Sequence, residues 1–239
     1  MSEETYALQC WWGSRQEDAE SCAVRLMKTM GRLASIDGAF RNWDKCGLSA
    51  DQKQLGRLFN VNRYFYDYPP DKVIMELGFR VRMTNQARRP DAALIDMQVG
   101  AFGSENPHRN HLVIVPSERR ADTRQPWTAS NLRLVMRVAI EEWNVQEASV
   151  DCFRYFDCKR SQIGPSGQKR LFSPWEGWIT YLPPSQARLV TAPKGVGVEV
   201  LADGGTLYTL CEEPFTIENP KHMALAGAMQ RALAPVQRL

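Results

Sequence analysis

Long apolar runs are missing from this chain: uncharged apolar stretches such as Leu112-Val113-Ile114-Val115 extend only a few residues. A bilayer-spanning helix needs roughly 20 such residues, so no helical span is expected. The start, Met1-Ser2-Glu3-Glu4, is acidic and no apolar segment follows it, which is unlike a secretory leader. The expected location is the cytoplasm. Paired cysteines are missing too. Cys10, Cys22, Cys46, Cys152, Cys158 and Cys211 are scattered without a C-x-x-C pair. In a reducing compartment they are expected as free thiols packed as small apolar groups, which argues against a disulfide scaffold.

Catalytic signatures are also scarce. There is no G-x-S-x-G elbow and no Walker loop, and Lys194-Gly195-Val196-Gly197 lacks the spacing and following helix of a phosphate cradle. The chain has 3 histidines. His108 and His111 lie in a loop without further ligands at zinc spacing, and neither Cys152 nor Cys158 supplies them. His222 falls on the apolar face of a helix, where a hydrogen-bonded core role is expected. A Cys–His hydrolase has no local motif here. The neighbours Glu141-Glu142 and Glu212-Glu213 point in different directions on a regular element and make poor carboxylate dyads. No catalytic residue, metal or cofactor is expected, and no small-molecule substrate.

Charge is present in both signs and unevenly placed. The net charge is +3, too small to mark a nucleic-acid binder by itself. The first twenty residues hold Glu3, Glu4, Glu17, Asp18 and Glu20 against Arg15. Residues 80–137 are arginine-rich, and residues 195–220 hold Glu199, Asp203, Glu212, Glu213 and Glu218 with no Lys or Arg. These segments read either as solvated faces or as an acidic surface from the two ends of the chain that meets a basic partner. Arg80, Arg82, Arg88, Arg89, Arg119, Arg120 and Arg124, with Tyr64, Phe65, Tyr66 and Tyr68, make a nucleic-acid-binding module spanning 80–137 the alternative.

The hydrophobic pattern predicts an α+β fold of mostly antiparallel sheet with helices packed on it, including N-terminal, central and C-terminal helices. Residues 5–12 read as a strand. A helix from Ser14, capped by Ser14-x-x-Glu17, is predicted to bury Ala19, Cys22, Ala23, Leu26, Met30 and Leu33. A second helix is predicted from Ser49. Period-2 alternation predicts strands at 77–83, 93–99 and 112–115, with Arg80 and Arg82 on one outer face. Thr128–Trp143 reads as a helix, and 150–156 as a strand. Further strands are predicted at 177–182, 188–191, 196–201 and 206–210. Ala202-Asp203-Gly204-Gly205 is a hairpin signal, and Asn219-Pro220 opens a last helix. One domain over 1–239 is expected, with a subdivision possible near 161–167.

Taken together, several motifs carry a resemblance. They are Trp12-Gly13-x-Arg15, an isolated Trp43, Trp175-Glu176-Gly177-Trp178-Ile179-Thr180-Tyr181-Leu182, Asp203-Gly204-Gly205, Glu213-x-Phe215 and Asn219-Pro220-x-His222. The chain resembles the bacterial family called immunity protein 52. The resemblance implies a protein that binds a cognate nuclease toxin with a restriction-endonuclease-like domain, among them type VI secretion effectors, and silences it stoichiometrically. It implies no direct contact with nucleic acid or membrane. The net positive charge argues against wholesale DNA mimicry. Asp203, Glu212, Glu213 and Glu218, with Tyr64, Tyr66 and Tyr68 as aromatic anchors, are the expected toxin-binding residues.

Overall fold

A computed structural model describes residues 4–45, 50–65, 67, 72–103, 110–163 and 176–237. The fold is α+β, built on one antiparallel sheet of eight strands. In chain order these are β1 (Tyr6–Trp12), β2 (Phe79–Thr84), β3 (Leu94–Val99), β4 (Asn110–Val115), β5 (Glu147–Cys152), β6 (Ile179–Leu182), β7 (Gly197–Val200) and β8 (Thr206–Thr209). They lie in the order β2-β3-β4-β1-β5-β6-β8-β7. The first strand of the chain therefore joins its two halves: β1 pairs with β4 on one side and β5 on the other. Across the stretch near 161–167, β5 and β6 pair directly.

Period-2 alternation explains why one face of the sheet is a continuous apolar surface. The registers Val81↔Met97, Met97↔Leu112, Cys10↔Leu112, Cys10↔Ala148 and Ala148↔Tyr181 line up a band of buried apolar side chains. The intervening residues carry Arg80, Arg82, Asp96, Gln98, Gln9, Ser149 and Thr180 to the opposite face. Helices α1 (Ala19–Ile36) and α3 (Ala129–Trp143) pack together on the apolar side, where α3 also meets β1 and β5. Their buried stripes follow helical spacing, Cys22, Leu26, Met30 and Leu33 on one and Leu132, Met136, Ala139 and Trp143 on the other. Trp143 stacks on Trp12 at 5.6 Å and donates its ring N–H to Thr29 Oγ1 at 2.9 Å.

Helix starts differ from the sequence-based expectation in an informative way. Helix α1 begins at Ala19, capped by Asp18, not at Ser14. Glu17 is engaged by Arg15 and Arg25, and those arginines also donate to the backbone carbonyls of Trp143 and Glu142 at the end of α3. Cations at a helix C-terminus complement its dipole, so this segment serves a neighbouring helix instead of extending its own. Helix α2 (Gln52–Val61) starts from Asp51, which forms a reciprocal capping box with Gln54, while Ser49 lies outside the described residues.

Two strand expectations are corrected. Residues after Cys152 form α4 (Phe153–Ile163), because the Phe153 amide closes onto Thr5 O and the ladder ends there. Residues 188–191 are not a strand. Pro183-Pro184 opens the short helix α5 (Pro184–Ala187), and Leu189 and Val190 donate back to Gln186 and Ala187. Helix α6 (Pro220–Leu233) follows the expected Asn219 cap and buries His222, Ala226, Met229 and Leu233.

The described cysteines are free thiols. Burial, the first cause in each case, pushes Cys22 and Cys152 from an ordinary 9.0 up to about 12 and raises buried Cys10 as well. The folded chain holds these protons more tightly than the unfolded chain. Their contribution to stability is complete below pH 9 and is lost as pH rises toward 12. Denaturation midpoints followed from neutral to alkaline pH should fall across that window. In the folded chain Cys158, which is exposed, should react with a disulfide reagent well before Cys10, Cys22 or Cys152.

Candidate functional site

At the end of the sheet where β1 begins, two loops enclose an open cleft of about 590 Å³. One wall is the segment after β8, contributing Pro214, Thr216 and Glu218 beside Glu4. The other is the segment between β4 and α3, contributing Glu118, Arg119, Arg124 and Trp127.

The first wall is fixed by residues distant in sequence. Trp178 Nε1 donates to Cys211 O at 2.8 Å, and the Tyr6 hydroxyl donates to Phe215 O at 3.0 Å. Phe215 is buried, edge-on to Tyr155 at 5.3 Å and stacked on His222 at 5.5 Å. The Thr216 amide donates to His222 Nδ1 at 3.1 Å. Gly177 lets this packing close, since a Cβ there would sit 2.6 Å from Val150 O. The second wall is held by Asp37, whose carboxylate accepts the Ala121 amide at 2.9 Å, and by Trp127, which donates to Ser117 O at 2.7 Å.

The predicted acids divide between two ends of the molecule. Glu212, Glu213 and Glu218 share the first wall or its flank, each with more than half of its side chain exposed. Each is also oriented by a partner of its own chain: Glu212 by Arg133 at 2.6 Å, Glu213 by His222 at 3.0 Å and Glu218 by Arg154 at 2.8 Å. The hydrogen bonds from Arg133 and from His222 are the largest causes that lower the Glu212 and Glu213 carboxyl groups, so both are charged at neutral pH. Asp203 lies at the other end of the sheet, in the β7–β8 turn, where it accepts from the Tyr181 hydroxyl at 2.7 Å and the Gly205 amide at 2.8 Å. Tyr64 lies beside β2, the far edge strand, where Asn62 O accepts the Arg80 amide. Burial raises its hydroxyl pKa. Tyr66 and Tyr68 fall outside the described residues.

Cys211, Glu213 and His222 place potential metal-ligand atoms within 4.8 Å of one another. Proton placement argues against a metal there. His222 Nδ1 accepts an amide, so its ring proton sits on Nε2 and points at Glu213, where a metal would need a lone pair. Burial, with Glu213 next, pushes the Cys211 thiol up to about 12. The trio is a clamp on the wall. Replacing His222 by alanine should cost about 1–3 kcal/mol, because the Thr216 amide loses its acceptor. Glu213→Gln should cost less than about 1 kcal/mol, since that carboxylate is screened by solvent. Urea titrations of the two variants separate these values.

The arginine-rich segment is largely neutralised within the chain. Arg80 faces Asp96, Arg89 faces Glu118, Arg120 faces Asp37, Arg124 faces Asp91, and Arg133 and Arg137 share Glu199. Glu141 and Glu142, adjacent in sequence, converge on Arg32. His111 lies on β4, and His108 is outside the described residues.

Two braced walls around an open cleft, carrying exposed but oriented charges, suit the recognition of a macromolecular surface. The family model of immunity protein 52 matches residues 4–237, and the chain belongs to that family. It is an immunity protein, a class whose partner is a toxin. No curated protein matches the chain. The motifs that carried the resemblance do structural work: Trp12, Gly177, Trp178, Phe215 and His222 brace the core or the cleft wall.

Proposed function

We propose that this chain protects the cell that makes it by binding a cognate nuclease-type toxin, delivered by a type VI or related secretion system, and silencing it in the cytoplasm. Binding is tight and stoichiometric, and the chain turns over no substrate. The observation that carries the proposal is the family match across residues 4–237. The cleft supports it by holding charged side chains in fixed positions before any partner arrives, which lowers the ordering cost of association. In this reading Glu212, Glu213 and Glu218 steer and contact the toxin, and the aromatic segment Tyr64, Tyr66 and Tyr68 and the hairpin acid Asp203 are secondary contacts.

Co-expression with the toxin encoded beside this chain, followed by pull-down and a DNA-degradation assay, tests the proposal. A stable complex with intact DNA is the expected result. Undiminished degradation with no complex would remove it. Among the described residues, the pairing of Arg80, Arg89, Arg120, Arg124, Arg133 and Arg137 with internal acids weighs against the nucleic-acid alternative.

A further inference from the structure

The two edges of the sheet are treated differently. On β2 outward groups are occupied at both ends of the strand: the Arg80 amide donates to Asn62 O, the Asp44 amide donates to Thr84 O, and the Thr84 amide donates to Asp44 Oδ1. Folded proteins commonly cover an edge in this way, because an open one recruits another strand. At the other edge, β7 pairs with β8 alone among the described residues. The Leu201 amide donates to Gly205 O, so the alternation of an antiparallel ladder turns Glu199 and Gly197 inward and Val198 and Val200 outward. The main-chain groups of Val198 and Val200 therefore face away from the sheet. Their side chains are also exposed, at 55% and 70%. No Lys, Pro or bulge interrupts Gly197-Val198-Glu199-Val200.

We infer that β7 is a docking edge for an extended segment of the toxin, which adds a further strand to the sheet; this rests on the immunity reading above. Main-chain hydrogen bonds to Val198 and Val200 supply the pairing, and apolar residues at alternate positions of the incoming strand cover the two valines. The edge is continuous with the cleft wall, because Arg133 reaches Glu199 on β7 as well as Glu212. A second copy of this chain meets a charge conflict in the register that pairs the two valines with each other. The two-fold register that pairs Val198 with Val200 sets Glu199 directly opposite Glu199, a like-charge pair on one face.

The test uses the full chain and the adjacent-gene toxin with its nuclease centre inactivated. Val198→Pro removes an outward N–H at an edge position where proline is tolerated, and Val198→Lys with Val200→Lys places charges on the edge. Each should weaken toxin binding by about tenfold or more. In the wild-type complex, amide exchange at Val198 and Val200 should slow by about a hundredfold, while Glu199, already bonded inward, changes little. Should the proline variant fail to fold, the lysine pair and the wild-type exchange data decide. Wild-type affinity in the variants with unchanged exchange at Val198 and Val200 would overturn the docking edge and leave the immunity reading standing. Failure of the wild-type chain to bind the toxin would overturn both. Self-association of the wild-type chain that Val198→Pro abolishes would assign the edge to a second copy and overturn the inference.

Discussion

Asp37→Ala is expected to lower the free energy of unfolding by about 3–5 kcal/mol. Asp37 is fully buried just beyond α1, yet it is surrounded by donors. Oδ1 accepts the amides of Ala39 at 3.0 Å and Ala121 at 2.9 Å, and Oδ2 faces Arg120 Nε at 3.5 Å. Arg120 in turn donates to Ile36 O at 3.0 Å and lies over the Trp127 ring. One carboxylate thus joins the end of α1, the turn Gly38–Phe40 and the second wall of the cleft. Alanine would leave the Ala39 and Ala121 amides without their acceptor and the mostly buried Arg120 guanidinium without its counter-charge. Asp37→Asn keeps the shape and one acceptor but loses the charge, so it should fall between wild type and alanine. Urea denaturation of the three proteins measures the series. A loss under about 1 kcal/mol for alanine would mean that water replaces the carboxylate and that the wall is not pinned there.

Phe215→Ala is expected to cost a similar amount, about 3–5 kcal/mol, and to act on binding as well. The ring is buried between Tyr155 and His222, and the backbone of the same residue receives the Tyr6 hydroxyl. Its loss opens a cavity directly beneath the wall that presents Glu213 and Glu218. The affinity for the toxin should therefore fall even where the variant remains folded, because the wall must then be ordered on binding. Phe215→Leu retains most of the apolar volume and should keep most of both properties. Calorimetric titration below the variant's unfolding temperature, with thermal melts alongside, separates the two effects. A destabilised Phe215→Ala that binds with wild-type affinity would show that this wall is not part of the interface.

The fold was readable in the chain wherever one period dominated. Phe79, Val81 and Met83 alternate with Arg80 and Arg82, and the structure buries the first set and exposes the second. Leu132 through Trp143 forms the buried stripe of α3. Errors arose where local chemistry had two uses. Ser14 and Glu17 have capping-box spacing, but Arg15 and Arg25 recruit Glu17 to the end of α3, and sequence spacing cannot register a partner more than a hundred residues away. Tyr155 and its neighbours look like a strand by composition and become helical because β5 ends at Cys152.

The site was legible as chemistry and not as geometry. An acidic segment after residue 195 was visible, and the structure gathers Glu212, Glu213 and Glu218 near one cleft. That their partners are Arg133, His222 and Arg154, and that Asp203 belongs to the opposite end, depends on strand order. Asp37 was missed as a site residue: an Asp-Gly pair signals a turn, and nothing local marks it as the acceptor for Ala121. The open edge at β7 was hidden for the same reason, since a strand becomes an edge only by its place in the sheet.

Stoichiometric silencing of the proposed nuclease toxin is best tested by titration. Purified toxin at a fixed concentration well above the dissociation constant would be mixed with increasing amounts of this chain and assayed for DNA degradation. A linear fall in activity that reaches zero at a fixed molar ratio is expected, with the chain recovered unchanged from the complex. Activity that persists at a large excess of the chain, or that disappears at far less than stoichiometric amounts, would contradict it.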